Sequence, residues 1–246
     1  MTTSPTPDAS APADVVHDLA PTGALRASIN LGNPVLAQGT PDAPRGVTVD
    51  LAREVAARLG VPLELLCFDA ARLSFEAMAD GRADLCFLAV DPARATEVAF
   101  TAPYVLIEGV YVVPDASPVR VAADVDRAGV RVGVKTGSAY DLHLARVLTH
   151  AEVVRGAEGV EVFAAEGLEA GAGIREPATE WVASHPGSRV VDDAFMQIRQ
   201  AVGTPAGRSE ATQRFLHDLV EELKASGFVA ASLTRSGQTA AVAPPA

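Results

Sequence analysis

A chain of 246 residues, 48% of them hydrophobic, is long enough to bury one large core or two smaller ones of roughly 100 residues each. Its 31 acidic residues outnumber 20 basic ones, and the formal charge of -11 repels phosphate backbones and anionic lipid. No run of lysine and arginine interrupts that field, which argues against nucleic acid and membrane surfaces as partners.

The first 22 residues are rich in Pro, Ala, Ser, Thr and Asp, and are expected to be a disordered segment. They lack the basic start and apolar stretch of a secretory signal, and no run of 18 apolar residues occurs, so membrane insertion is not expected. "LRASIN" (25–30) reads as a strand, and "TVDLAREVAARLG" (48–60) as a helix closed by Gly60. "PLELLCF" is a second strand, "ARLSFEAMADG" a helix ending at Gly81, and "ADLCFLAV" (83–90) a third strand. Strands alternating with helices make a parallel sheet, whose strand ends form a crevice for ligands. Arg94, in "DPARATEVAFTAPY" (91–104), lies just past the third strand.

The two prolines of "YVVPDASPVR" (111–120) mark a crossing segment. Beyond it, "VRVGVKTG" is a strand with a glycine turn, and "SAYDLHLARVLTH" a helix with Ser138 at its start and Asp141 three positions on, a pattern that satisfies free N–H groups. "VEVFAAEG" is helix or strand, "LEAGAGIRE" a strand entering a turn, "ATEWVASH" a helix and "FMQIRQAVG" a returning strand. "ATQRFLHDLVEELKASG" is an amphipathic helix ending at Gly227, and residues 238–246 are expected to be a flexible tail. Cys67 and Cys86 sit in apolar runs without His or Cys at ligand spacing, so buried free thiols are expected and no metal.

The order and spacing of "RGVTVDLAREVAARLG", "FEAMADGRADLCFLAVDPARATEVAFTAPY" and "GVRVGVKTGSAYD" resemble the family-3, polar amino acid type, solute-binding proteins of ABC transporters, over about residues 25–237. The resemblance implies a type II periplasmic-binding fold of α/β class, each of two lobes a mostly parallel sheet flanked by helices. The lobes are expected at 23–113 with 205–237, and at 114–204, joined by a two-segment hinge. The resemblance also implies a monomer without cofactor, capturing a small carboxylate-bearing ligand by domain closure and passing it to an ABC permease. At its matching positions Arg94 clamps the ligand's carboxylate and Ser138 completes the clamp, with Thr136 and Tyr104 in the same motifs. A guanidinium suits that role because it makes two parallel charge-assisted bonds to a carboxylate.

Two departures bear on the ligand. The loop after the first strand, "NLGNPVLAQGTPDAP", carries no aromatic residue; Asn30, Asn33 and Gln38 are its polar candidates, with turn formation as the alternative. The family's ammonium-binding aspartate falls on Arg175, followed by Glu176, and an arginine cannot accept an ammonium. With Arg94 and Arg175 across one cleft, a dicarboxylate or keto acid fits better than an amino acid. A register off by one makes Glu176 the amine partner instead, and a surface pairing of Arg175 with Glu176 or Glu169 leaves the amino acid reading standing.

An enzyme on the same fold, a dehydratase or lyase of a small cyclic or keto acid, would use Glu108 or Glu176 as proton donor. The sequence has no G-x-S-x-G, H-E-x-x-H or P-loop, and its five histidines are scattered. A third reading is a cytoplasmic ligand sensor, expected if Met1 is the native start, whereas the resemblance implies a periplasmic or extracellular protein.

Overall fold

A computed structural model of the chain describes residues 11–246. The first ten residues of the segment expected to be disordered lie outside the described residues. The remainder of it contains a helix, α1 (Ala13–Leu19), whose Val15 and Leu19 are buried in the main core. A seven-residue helix has little stability of its own. Its anchor is tertiary, because Asp18 accepts hydrogen bonds from Ser209 N and Thr212 Oγ1, 2.9 and 2.6 Å away.

β1 (Leu25–Asn30) is followed by a small hairpin, β2 (Gln38–Thr40) with β3 (Ala43–Arg45), and by α2 (Val47–Leu59). The buried face of α2 carries Val47, Leu51, Val55 and Leu59, one residue per turn, and Gly60 ends the helix in the left-handed region at φ 68°. β4 (Leu63–Phe68), α3 (Ala71–Ala79) and β5 (Leu85–Ala89) complete a first group in which β1 pairs in parallel with both β4 and β5.

β6 (Val98–Pro114) then runs the length of the molecule. A second parallel group follows: β7 (Arg131–Lys135), α4 (Ala139–Val147), β8 (Glu152–Gly156), α5 (Gly159–Glu166), β9 (Ala170–Ile174) and α6 (Arg175–Ser184), with β7 between β8 and β9. After the short β10 (Ser188–Val190), β11 (Met196–Pro205) returns antiparallel to both β6 and β5. The result is one sheet of order β4-β1-β5-β11-β6-β9-β7-β8. The ambiguous "VEVFAAEG" is helical, and Gly159 explains how α5 sits so low: a Cβ there would stand 2.2 Å from the Ala172 carbonyl oxygen.

α7 (Glu210–Ala225) buries Leu216, Leu219, Val220 and Leu223 against β6, and α8 (Phe228–Arg235) packs between α7 and α2. The tail expected to be flexible forms β12 (Ala241–Val242) on β6 instead. Lys224, almost wholly buried, holds it there by donating to the Pro244 carbonyl at 2.9 Å and the Pro103 carbonyl at 3.2 Å. No helix among the described residues is long and apolar enough to cross a membrane.

Candidate functional site

The ends of β1, β5, β7 and β9 and the middle of β11 surround a cavity of about 280 Å³. Its lining joins Asn30 and Asn33 after β1, Arg94 after β5, and Lys135, Thr136 and Ser138 after β7. Glu158 and Glu161 come from the start of α5, Trp181 from α6 and Gln200 from β11.

Arg94 opens a single 3-10 turn, Arg94–Thr96, and is 3% exposed. Nη1 donates to the Ala89 carbonyl at 3.2 Å and Nη2 to the Gly137 carbonyl at 3.0 Å. Among the described residues no carboxylate pairs with it. Asp91, the acid close by in the chain, is engaged by Arg146 at 2.7 Å and by the Ala93 amide at 2.9 Å. Burial pulls the guanidinium below its ordinary pKa, a cost that the field of Asp91 opposes. A buried cation with only carbonyl partners among the described residues, at the edge of a cavity, carries a charge that is not compensated there.

Ser138 is the N-cap of α4, its Oγ accepting from Asp141 N at 3.0 Å. Asp141 is itself buried and takes the Gly137 amide at 2.8 Å and the Arg155 guanidinium at 2.9 Å. That carboxylate therefore fixes the peptide whose carbonyl reaches Arg94. Gly137 stands at φ 68°, and a Cβ there would press on the Arg72 side chain at 2.9 Å. Thr136 spends its hydroxyl on the Gly156 carbonyl at 3.1 Å.

Asn30 and Asn33 line the cavity and also form turns. Each side-chain carbonyl closes a turn, Asn30 with the Gly32 amide at 3.0 Å and Asn33 with the Val35 amide at 3.2 Å. What each can offer the cavity is its NH2 group. Gln38 lies on the short hairpin and donates to the Pro34 carbonyl at 2.6 Å.

Four expectations are corrected. Arg175 does not face Arg94 across the cavity: β9 ends at Ile174, and the Arg175 side chain pairs with Glu108 and donates to the Asp192 carbonyl at 2.7 Å. Glu176, in the first turn of α6, is also outside the lining, and its Oε2 is buried without a partner among the described residues. Glu108, half exposed on β6, is taken by Arg175. Tyr104 is a core residue, edge-to-face with Phe87 at 6.4 Å between centroids, and burial drives its hydroxyl far above the ordinary value.

Sequence reasoning missed Lys135, Glu158, Glu161, Trp181 and Gln200. Lys135 and Glu158 form an ion pair, so each neutralises the other. Trp181 donates Nε1–H to Glu161 Oε1 at 2.7 Å and stacks on His185 at 3.8 Å. A polar Gln200 between Ile198 and Val202, on a strand where alternate residues face the core, was a signal in the sequence. Cys67 and Cys86 are free thiols; burial raises both, Cys86 to about 12. No group of three or more His, Cys, Asp or Glu side chains among the described residues is placed to hold a metal.

Residues 30–238 match the model of the bacterial extracellular solute-binding proteins, family 3. The chain belongs to this family. No curated protein sequence matches it. Solved structures show the family's fold: a mutant ArgBP from T. maritima superposes with a TM-score of 0.72 at 22% identity, covering 91% of this chain and 99% of that one. An amino acid ABC transporter substrate-binding protein from Streptococcus pneumoniae, bound to L-arginine, gives 0.73 at 18% identity, covering 92% and 99%. An ancestral amino acid-binding protein, described as a precursor of cyclohexadienyl dehydratase, gives 0.72 at 18% identity, covering 89% and 97%. At these identities the likeness establishes the type II periplasmic-binding fold, and the cavity of this family member has to be read from its own side chains.

Proposed function

We propose that the chain captures a small amino-acid-like solute in this cavity, with Arg94 holding the carboxylate, for delivery to an ABC permease. The observation that carries the reading is a guanidinium 3% exposed, hydrogen-bonded only to two carbonyls, at the edge of a cavity of about 280 Å³. That volume is just below the roughly 300–1,000 Å³ of small-molecule sites and suits a single amino acid better than a peptide. Arg175, the residue that favoured an amine-free acid, is paired with Glu108 outside the lining. The lining instead sets two cations, Arg94 and Lys135, against two carboxylates, Glu158 and Glu161, a balance that fits a zwitterion better than a dicarboxylate. A solved relative described as bound to L-arginine points the same way. The lyase reading has less support, because neither Glu108 nor Glu176 lines the cavity.

Capture is by closure of two lobes built on the two parallel groups, bending where β6 and β11 run between them. The test is calorimetric titration of a panel of amino acids, keto acids and dicarboxylates, repeated on Arg94→Ala with circular dichroism as the folding control. Loss of binding by about a hundredfold or more is expected from removing a desolvated clamp. An Arg94→Ala protein that keeps its affinity would overturn the assignment. Small-angle scattering with saturating ligand should show compaction, and an unchanged radius of gyration would refute closure.

A further inference from the structure

The charges around the cavity are not all paired. Lys135 and Glu158 pair with each other, but Arg94 has no carboxylate partner among the described residues and Glu161 has no cation partner there, its recorded hydrogen bond being to Trp181 Nε1. One cation and one carboxylate are therefore left for a ligand that carries both signs.

Their places in the fold are well apart: Arg94 follows β5, and Trp181 lies on the helix after β9, three strands away in the sheet. Arg94, Ala89 and Gly137 stand at strand ends. An α-ammonium is two bonds from the carboxylate held there. Trp181 is six residues past Arg175, the first residue of α6, and so about 9 Å along the helix axis from the end of β9. Its indole lines the cavity, held by Glu161 on one side and by stacking on His185. An aromatic face beside an unneutralised carboxylate is the chemistry that receives an organic cation.

We infer that Trp181 and Glu161 form a specificity-determining subsite for a cationic side chain, making the ligand a basic amino acid. This rests on the reading of Arg94 as the carboxylate clamp. The subsite selects on charge, since Glu161 sits at the exposed rim, where a neutral side chain gains no ion pair from it.

Ligand pairs matched in shape isolate the side-chain charge: arginine against the isosteric citrulline, and lysine against norleucine, one heavy atom shorter, titrated by calorimetry. The parent protein should bind the charged member of each pair about 10- to 100-fold more tightly. Glu161→Gln keeps an acceptor for Trp181 Nε1 while removing the charge, and should erase that preference while changing affinity for citrulline less than about threefold. Trp181→Leu keeps an apolar wall without the π face and should weaken the charged ligands by a further few-fold. Equal binding of the charged and neutral members by the parent overturns the subsite, as does an equal loss of both in Glu161→Gln, which would put the α-ammonium at Glu161. If neutral amino acids bind and depend on Arg94, only the subsite falls. If no amino acid binds at all, the reading of the cavity falls with it.

Discussion

The two parallel groups contribute to the cavity in different ways. In the first, a main contributor is Arg94, which donates to Ala89 at the end of the preceding strand, beside a core that α1, α7 and β12 help to close. In the second, charged side chains are mostly paired with each other, Lys135 with Glu158, Arg155 with Asp141, Arg131 with Glu169, and the helices approach the sheet through glycines such as Gly159. Unspent binding capacity thus stays at a few positions, while the surrounding charges are already satisfied.

The largest stability effect tests the anchor's platform. Leu19→Ala empties a fully buried site in α1 and should cost about 2–5 kcal/mol in denaturant unfolding; a loss under about 0.5 kcal/mol would mean that α1 adds nothing to the first group. Asp141→Asn tests the second group, since the Gly137 amide and Arg155 both depend on that carboxylate. About 1–3 kcal/mol of stability should go, together with some ligand affinity, because the peptide facing Arg94 loses its hold. Unchanged stability and affinity would show that the turn holds itself.

A smaller effect concerns acid. Arg131 holds the Glu169 carboxyl below its ordinary value near 4.5, and Arg58 does the same for Glu222 in the first group. A carboxylate lowered in the folded state contributes stability above its unfolded value and loses it as the pH falls through the folded one. Melting temperature should therefore decline below a pH of about 4.5, and Glu169→Gln should shrink that decline. A Glu169→Gln protein with the parent's acid slope would remove Glu169 from the account. The smallest effect is Arg175→Ala, expected to change ligand affinity less than about threefold because its charge is spent on Glu108. A tenfold loss would bring Arg175 back into the cavity.

Much of this was legible in the sequence, and for local reasons. Period and punctuation gave β1, α2, β4, α3 and β5 in order, and the motif around Arg94 pointed to the anchor. The parts that stayed hidden depend on partners far along the chain. α1 is seven residues whose reason to be helical lies at Ser209 and Thr212, and β12 is two residues fastened by Lys224. Arg175 illustrates the same limit: the family resemblance gave its place at the strand end, but its side chain is taken by Glu108, 67 positions earlier. In the sequence Trp181 reads only as part of a helix, because nothing local says that α6 brings it to the cavity wall.

Trp181 is also the only tryptophan in the chain. All indole emission from this protein therefore originates on the wall of the cavity, from a ring hydrogen-bonded to a carboxylate and stacked on an imidazole. A solute entering beside it changes the polarity and quenching that this single fluorophore experiences, so the protein carries an optical readout of occupancy that needs no label.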